Sequence, residues 1–410
     1  MTQPAPSPPL LDLASPAFLR EPYSTYDRLR VAEPVHRLPW GFIVLSRHDD
    51  ITFALKDKRF GKTFAERMEL RNGPEVMNEP VFRSMGKWMM WVNPPDHTRL
   101  RGLMTKAFGA RRVEDMRPRI QKIVDDAIDR MLPNGGADLI ADFSFTLPIG
   151  VICDMLGIPL ADSHMFIAAV QNTAKLMDPV PLSRAEIDEA NDHFNLMAEY
   201  FERLFEQRRK DPGDDLTSAL IAASEEGDAK LSKEELTANI IQLFTAGHET
   251  SINLIGNGLL ALHQYPDQLK LLRDDPSLLE NAVEELLRYD SPVQAAGRDA
   301  NADVEINGVP IAKGEAIVCL LGAGNRDPEA HTDPDRLDIT RQNIRHLSFG
   351  GGSRYCIGAQ LARIEAEVAF ATLLKRMPDL QIDNLDNPDW RLTFVIRSLN
   401  TLPARWSSAN

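Results

Sequence analysis

The spacing of apolar residues predicts helices over most of the chain up to about residue 290. The clearest helix runs from Ser232 to Tyr265, because Ser232 and Glu235 form a capping-box pattern and Pro266 follows the helix. At 1.5 Å per residue this helix would be about 50 Å long. A compact chain of this size has a radius of gyration of roughly 22 Å. We therefore expect the helix to cross the molecule as its central element.

Short strand patterns interrupt this helical character near the start and after residue 300. An early hairpin is predicted from Val35–Leu38 and Phe42–Leu45. A second hairpin is predicted over Val304–Ile311, around an Asn-Gly turn. Further strands are predicted over Ala316–Leu321 and Leu392–Ile396. The pattern indicates a mainly α protein with a minor β portion.

The chain shows no internal repeat and no linker long enough to divide it. We expect a single domain over residues 21–410, built around the long central helix. Residues 1–20 begin with MTQPAPSPPLLDL and predict a flexible, proline-rich N-terminal arm.

Composition excludes several classes of partner. With 43% hydrophobic and 26% charged residues, the 410-residue chain has the balance of a globular protein. A net charge of −14 argues against binding to nucleic acid or to an acidic membrane surface. No apolar run approaches the length of a membrane span, so we expect no membrane association. Cys153, Cys319 and Cys356 form no Cys-x-x-Cys pair, which predicts neither a zinc site nor a disulfide framework and fits a reducing cytoplasm.

The candidate chemistry starts at Cys356, in a ten-residue stretch that contains four glycines. Glycines leave room for a bulky planar group to press against the backbone. The apolar run that follows keeps helical spacing, which places the cysteine at a helix N-terminus where a thiolate is stabilised. A thiolate is a strongly electron-donating ligand for iron. A glycine-rich turn around a structural cysteine is the alternative; a phosphate loop would need Gly-Lys-Ser/Thr, which is absent.

The full pattern Phe-x-x-Gly-x-x-x-Cys-x-Gly resembles the haem-binding loop of the cytochrome P-450 family. The resemblance covers almost the whole chain and implies that family's fold and its cofactor, haem b. It implies that Cys356 is the axial thiolate ligand, that Phe349 packs below the haem, and that Arg354 meets a propionate. Gly352 and Gly358 complete the matched loop.

The central helix contains Ala246-Gly247-His248-Glu249-Thr250-Ser251. Gly247 weakens a helix and the Thr250 hydroxyl can bond a carbonyl one turn back, which together permit a local opening. Glu249 and Thr250 place an acid beside a hydroxyl, the parts of a proton relay. Taken alone, the segment equally fits a packing glycine beside solvated polar residues. The resemblance implies that Glu249 and Thr250 are catalytic, that Gly247 lies at the haem, and that His248 is packed or solvent-facing.

His97 and Arg101 are four residues apart and share one helix face. Two cationic donors on one face suit a pair of carboxylates, although a surface helix with solvated charges has the same pattern. The resemblance implies that these two residues, with Arg298 and Arg354, bind the haem propionates.

Glu285 and Arg288 lie three residues apart on one helix. An ordinary surface ion pair is the simplest interpretation of this spacing. The resemblance implies instead a structural ion network in which Arg336 is the third member.

The substrate pocket is predicted from methionines and tryptophans before the His97 helix and from the resemblance. No charged side chain stands out as an anchor, so we expect an apolar ligand. Residues Met177–Pro181 are predicted to form a mobile lid. The predicted pocket residues are Trp88, Met89, Leu243, Ala246, Val293, Ala295, Ala296, Phe394 and Val395.

The resemblance implies a haem-thiolate monooxygenase that inserts one atom of dioxygen into an apolar small molecule by hydroxylation or a related oxidation. The chain carries no flavin or nucleotide fingerprint, so we expect electrons from a ferredoxin and its NAD(P)H-dependent reductase, and a monomeric enzyme. A peroxygenase that uses hydrogen peroxide is one alternative, but it would not need the acid–alcohol pair. A non-catalytic haem sensor is another, but it would need an output surface or partner domain.

Overall fold

A computed structural model of the protein describes residues 10–39, 41–167, 169, 175–178, 180–225 and 231–407. Helices account for 58% of the residues and sheets for 11%, which confirms the mainly α fold with a minor β portion in one domain. The α-helices are α1 (Pro16–Arg20), α2 (Tyr23–Ala32), α3 (His48–Lys56), α4 (Phe64–Asn72), α5 (Pro80–Met85), α6 (Asp96–Ala107), α7 (Ala110–Asp115), α8 (Arg117–Met131), α9 (Thr146–Leu156), α10 (Arg184–Lys210), α11 (Leu216–Glu225), α12 (Lys233–Gln264), α13 (Pro266–Asp274), α14 (Leu279–Tyr289), α15 (Leu321–Asn325) and α16 (Ala359–Arg376).

The strands are short and pair mostly with strands distant in sequence. They are β1 (Val35–Arg37), β2 (Phe42–Leu45), β3 (Phe60–Gly61), β4 (Gly136–Asp138), β5 (Ala295–Ala300), β6 (Val304–Ile306), β7 (Val309–Ile311), β8 (Ala316–Leu320), β9 (Gln381–Ile382), β10 (Asp389–Trp390), β11 (Leu399–Thr401) and β12 (Pro403–Arg405). The largest sheet has the order β1-β2-β8-β5-β3, in which β2 and β8 are parallel. A three-stranded sheet has the order β4-β12-β9.

Helix α12 is the predicted central helix. The Ser232 hydroxyl accepts a hydrogen bond from the Glu235 amide at 3.1 Å, and the Glu235 carboxylate accepts one from the Ser232 amide at 2.9 Å. This capping box satisfies two amides that the first turn would otherwise leave unpaired. Helices α9, α10, α14 and α16 pack around α12, and nearly all of its side chains are buried. The sequence pattern therefore correctly predicted the central helix of the fold.

The hairpin of β6 and β7 is confirmed, and its turn residues Asn307 and Gly308 have φ of 50° and 75°. These positive values are typical of the turn that Asn-Gly favours. The strand predicted over Leu392–Ile396 is reduced to a single antiparallel bridge between Ile396 and Val293, in a segment between β10 and β11. The amides of Phe394 and Val395 bond the Asp178 carboxylate at 3.5 and 3.1 Å, which keeps the pairing from extending toward Leu392.

The predicted N-terminal arm differs from the structure in its second half. Residues 1–9 lie outside the described residues. From residue 10 onward the chain packs onto the domain, with Leu11, Leu13 and Phe18 buried. The Phe18 ring lies 5.8 Å from that of Tyr26. These apolar contacts hold residues 10–20 against the domain, which corrects the expectation of a flexible arm there.

Within the described ranges, no single helix is long and apolar enough to cross a membrane. One helix pair bent by 110°, Ile140–Leu156 with Leu160–Phe166, passes that test by length and composition alone.

A buried ion network fastens α14 to the segment that leads toward Cys356. Both side chains of the Glu285–Arg288 pair are fully buried and share two hydrogen bonds of 2.7 and 2.8 Å. The third cation is Arg341, whose Nε lies 3.0 Å from Glu285 Oε2. This corrects the prediction of Arg336, which is exposed and contributes only its carbonyl oxygen to the network. The turn from Asp338 to Arg341 directs the Arg341 guanidinium inward, because the Asp338 amide itself bonds Glu285.

We expect Arg288→Ala to lower the free energy of unfolding by about 3–5 kcal/mol, because it leaves a buried carboxylate underpaired. Equilibrium denaturation monitored by circular dichroism measures the change. The matched control is Lys122→Ala, which removes an exposed ion pair with Asp126 and should cost less than about 1 kcal/mol. Equal, small losses in the two variants would contradict a structural role for the network.

Candidate active site

The loop around Cys356 depends on glycine at two positions. Gly350 and Gly352 have φ of 69° and 65°, which glycine adopts without strain. A Cβ on Gly352 would also lie 2.6 Å from the Leu55 carbonyl oxygen of α3. The Cys356 amide donates to the Phe349 carbonyl at 2.9 Å and closes the loop. The loop is therefore pressed against α3 in a shape that other residues could not adopt there.

The Cys356 thiol lies near enough to Arg101, which lines a recess beside the cysteine loop, to be influenced by its charge. The Cys356 side chain has accessible surface, and burial nevertheless raises the pKa of the thiol. The Gly358 amide, which bonds the sulfur, is the largest influence that lowers the pKa, followed by the charges of Arg101 and Arg363. Helix α16 begins at Ala359, three residues beyond the cysteine, so the sulfur is held by the loop amide just before the helix.

The recess lies between α6 and the cysteine loop and has a volume of about 550 Å³. It is lined by His97, Thr98, Arg101, Gly102, Thr105, Lys106 and Ser353.

The four predicted cationic groups lie close enough for their charges to interact, and two of them, His97 and Arg101, line this recess. Burial lowers the pKa of His97 to about 4, and the next contributions come from Arg354, Arg101 and Arg298. Burial and the charge of Arg298 lower the pKa of Arg354 to about 10. Arg354 donates to the carbonyls of residues 90 and 92, and Arg298 to that of Gly297. Among the described residues, no carboxylate forms an ion pair with any of the three arginines.

This donor set fits a haem. Buried guanidinium groups without carboxylate partners are costly, and the two propionates of haem supply the missing anions. Glycines 350 and 352 keep side chains away from the loop surface, and the Cys356 sulfur is the kind of ligand that haem iron binds. The sulfur therefore suits the iron of the cofactor, the glycines leave room for its planar ring, and the guanidinium groups suit its two carboxylates.

The accessible part of α12 lies in the segment that contains the predicted catalytic pair, Glu249 and Thr250. Ala246 is exposed and Gly247 and Thr250 are half-buried, although the helix is otherwise packed on all sides. These accessible positions lie in the middle of a helix whose other middle positions are buried. The Thr250 hydroxyl donates to the Ala246 carbonyl at 2.8 Å, as predicted. The helix is continuous through Gly247, so the predicted local opening is not present.

Glu249 is buried beside Thr250 and bonds the Arg391 guanidinium at 2.6 Å. Burial raises the pKa of Glu249, and the charge and hydrogen bond of Arg391 act against that rise. The nearby carboxylate of Asp178 raises the pKa further. Arg71 bonds the carbonyls of Leu176 and Asp178. The charge of Asp178, a residue of the predicted lid, therefore acts on the candidate acid Glu249. Pro179 of that predicted lid lies outside the described residues.

His248 is a packing residue. Its ring is 2% exposed and lies against the rings of Phe145 and Phe244, at 4.9 and 6.4 Å. Burial lowers the pKa of its imidazole to about 4. The solvent-facing alternative is therefore wrong.

The predicted substrate residues fall into two groups. Trp88 lines a small apolar cavity with side chains of α5 and α10, and Met89 and Leu243 are buried nearby. Ala295 and Phe394, in contrast, are buried in the cluster around Phe18. These two are corrected to core residues, because their side chains pack toward the N-terminal segment. Half-buried members of the predicted set are Val293, Ala296 and Val395.

Two buried charged residues were not singled out by any motif. Burial raises the pKa of Glu365 on α16 to about 8, with the Ser251 hydroxyl acting against that rise. Lys62 follows β3 and lies beside Arg298 and Arg354. A carboxylate inside an apolar helical run was the one available signal for Glu365. Lys62 offered none, since its neighbours are distant in sequence.

Comparisons with known proteins agree with this geometry. The family model for cytochrome P450 matches residues 37–394. A putative cytochrome P450 133B1 of Xylella fastidiosa is 40% identical over 393 residues, which cover 96% of this chain and 98% of that protein. Vitamin D(3) 25-hydroxylase of Pseudonocardia autotrophica is 40% identical over 397 residues, covering 96% of this chain and 95% of its own.

A crystal structure of P450BioI, in complex with an acyl carrier protein ligated to hexadec-9Z-enoic acid, superposes with a TM-score of 0.88. It is 36% identical and covers 95% of this chain and 99% of its own. The family model matches most of the sequence, including the cysteine loop, and the solved structure matches the fold over 95% of the chain. The chain therefore belongs to the cytochrome P450 family, whose members are monooxygenases that bind protoporphyrin IX haem through a cysteine thiolate.

Proposed function

We propose that this protein inserts one atom of dioxygen into an apolar small molecule, with Cys356 as the axial ligand of its haem. The observation that carries the proposal is an accessible thiol near a cluster of four cationic groups, His97, Arg101, Arg298 and Arg354, whose three arginines form no ion pair with a carboxylate among the described residues. Such a site offers one sulfur ligand and a set of donors for two carboxylates.

The residues of the chain have separate tasks in this reaction. When bound, the haem supplies the dioxygen chemistry. The Gly358 amide favours the thiolate form of Cys356, which would be the electron-donating ligand of the haem iron. The three arginines would hold the propionates by charge-assisted hydrogen bonds, and neutral His97 could donate one more.

Protons are handled by the pair on α12. The Thr250 hydroxyl donates a hydrogen bond to the Ala246 carbonyl and keeps lone pairs that can accept a hydrogen bond from another donor. Burial raises the pKa of Glu249, so it holds its proton to higher pH than an exposed carboxyl group, and the Arg391 guanidinium stabilises the carboxylate that remains after the proton has left. Together they can supply protons to a site beside Ala246 while the packed helix excludes bulk water.

We infer that the substrate is rich in hydrocarbon. Trp88, Met89, Leu243 and Ala246 offer apolar side chains, and the small cavity beside Trp88 is lined, in the described part of the chain, by apolar side chains and the ring of His193. Two of the three relatives named above support the same class, since one is named for the hydroxylation of vitamin D(3) and another was crystallised with a protein-carried hexadecenoic acid.

We infer that a ferredoxin and an NAD(P)H-dependent reductase deliver the electrons to a monomeric enzyme. The support is the sequence, which contains neither a flavin nor a nucleotide fingerprint. The free, buried thiols of Cys153 and Cys319 suit a reducing compartment, and we propose the cytoplasm.

The test is a mass balance in the purified system. A substrate is first identified as a compound that shifts the Soret band of the purified protein. With ferredoxin, reductase and this substrate, we expect the amount of product formed to equal the amounts of NAD(P)H oxidised and dioxygen consumed. Product formed under ¹⁸O₂ should carry the label. Full activity with hydrogen peroxide alone would support the peroxygenase, and haem binding without any product would support the sensor; either result would overturn the proposal.

The ion pair on Glu249 predicts a pH effect. Arg391 lowers a pKa that burial has raised, so Arg391→Leu should keep Glu249 protonated to higher pH. Removing an opposite charge shifts a carboxyl pKa by about 1–3 units. We expect the pH profile of coupled product formation to move upward by about one unit or more. Arg391→Lys retains the charge and should keep the wild-type profile; identical profiles in both variants would argue against the ion pair.

A further inference from the structure

Lys62 is built into the cationic cluster by contacts with both Arg298 and Arg354. Its Nζ donates to the Gly297 carbonyl at 2.7 Å, and Arg298 Nη1 donates to the same oxygen at 2.9 Å. The Asn93 side chain accepts from the Lys62 amide at 2.9 Å and from Arg354 Nη2 at 3.1 Å. The Gly297 carbonyl therefore holds the ammonium beside the Arg298 guanidinium, and Asn93 holds the Lys62 backbone beside Arg354.

The ammonium has spare donors and no ion-pair partner. Lysine carries three N–H donors, and in the described part of the chain the Gly297 oxygen is the single acceptor bonded to Lys62 Nζ. The Trp91 ring lies under Nζ at 4.4 Å, and its own Nε1 lacks a partner among the described residues. The nearest acid, Asp299, is committed to Arg67 at 2.7 Å and to the Thr63 amide at 2.8 Å.

The positive charges around Lys62 favour the binding of an anion. Burial, followed by the charges of Arg298 and Arg354, lowers the pKa of Lys62 to about 7, with Asp299 acting weakly in the other direction. A buried cation in this setting is uncompensated. His97 is neutral near pH 7, since its pKa is about 4, so the fixed charges at this site are those of the three arginines. A carboxylate beside Nζ would favour the charged form of Lys62 and would accept one of its unused N–H groups.

We propose that Lys62 is a further haem-binding residue of this protein and donates to the propionate that lies beside Arg298. This inference rests on the proposed haem site and adds a contact that no sequence motif indicates. The propionate would accept from a free N–H of the ammonium and neutralise it, while the Gly297 carbonyl and the Trp91 ring fix its position.

Two substitutions separate this role from a purely structural one. Lys62→Gln is neutral but can still donate to the Gly297 carbonyl, whereas Lys62→Arg keeps the charge. If Lys62 only fastened Gly297, the Gln variant would behave as the wild type. As a propionate ligand, the Gln variant should lose haem faster and the Arg variant should be rescued. Lys58→Gln, at an exposed lysine on the turn before β3, is the matched control.

The experiment measures the transfer of haem from the intact holoenzyme to excess apomyoglobin, together with the propionate bending mode in resonance Raman spectra. A charge-assisted hydrogen bond supports an expected acceleration of about tenfold or more in Lys62→Gln, with a shifted bending mode. Lys62→Arg and Lys58→Gln should retain both wild-type values.

Arg298→Gln distinguishes the two levels of the proposal. Fast haem loss in Arg298→Gln with wild-type loss and an unshifted mode in Lys62→Gln would overturn the role of Lys62 and leave the haem site standing. Wild-type behaviour of both variants would overturn the assignment of this cluster to the propionates altogether.

Discussion

We expect Cys356→Ser to abolish substrate oxidation and the far-shifted Soret band that a thiolate-ligated haem shows when reduced and exposed to carbon monoxide. The serine hydroxyl is not an anion at neutral pH, so it cannot supply the electron density that the thiolate donates. The Gly358 amide would still bond the smaller oxygen, so the loop itself should keep its shape. The change is thus confined to the ligand atom, which makes the effect the largest that one substitution can have here.

The matched control is Cys153→Ser. Cys153 is equally free but lies in the core, where burial raises the pKa of its thiol to about 12. Its replacement should leave the Soret band in place at equal haem content. A far-shifted band that persists in Cys356→Ser, or one that disappears only in Cys153→Ser, would contradict the assignment of the ligand.

The parts of the site that the sequence predicted are those encoded over short distances. The capping box at Ser232 and the spacing of His97 and Arg101 need only one helical turn to be recognised. The glycines before Cys356 likewise report a local backbone requirement. These features depend on local sequence and not on tertiary contacts, which is why the sequence alone predicted the central helix and the cysteine loop.

The parts that the sequence missed depend on which distant segments meet. Arg341 replaces Arg336 in the ion network because a turn bonded to Glu285 reorients the chain. The predicted strand over Leu392–Ile396 is reduced to a single bridge because a carboxylate from the lid segment takes two of its amides. Lys62 reaches the cationic cluster through the carbonyl of Gly297, 235 residues away. No local pattern carries such information.

We expect Thr250→Ala to continue consuming dioxygen and reductant while product formation falls by about a hundredfold, the typical contribution of a positioned proton donor. The lost reducing equivalents should appear as hydrogen peroxide, measured beside NAD(P)H and product. Alanine favours a helix more than threonine, so loss of structure would not explain the result. Thr237→Ala is the matched control, because its hydroxyl makes the same bond one turn back, to Lys233 at 3.0 Å, far from Gly247.

The same experiment tests whether the acid and the alcohol act as one unit. If a proton passes from Glu249 by way of the Thr250 hydroxyl, removing either residue interrupts the same route. Thr250→Ala combined with Glu249→Gln should then lose no more coupled activity than the worse single variant. Independent routes would make the two losses multiply. Coupled turnover that is unchanged in Thr250→Ala would remove the relay from the mechanism, and with it the main argument against a peroxide-driven reaction.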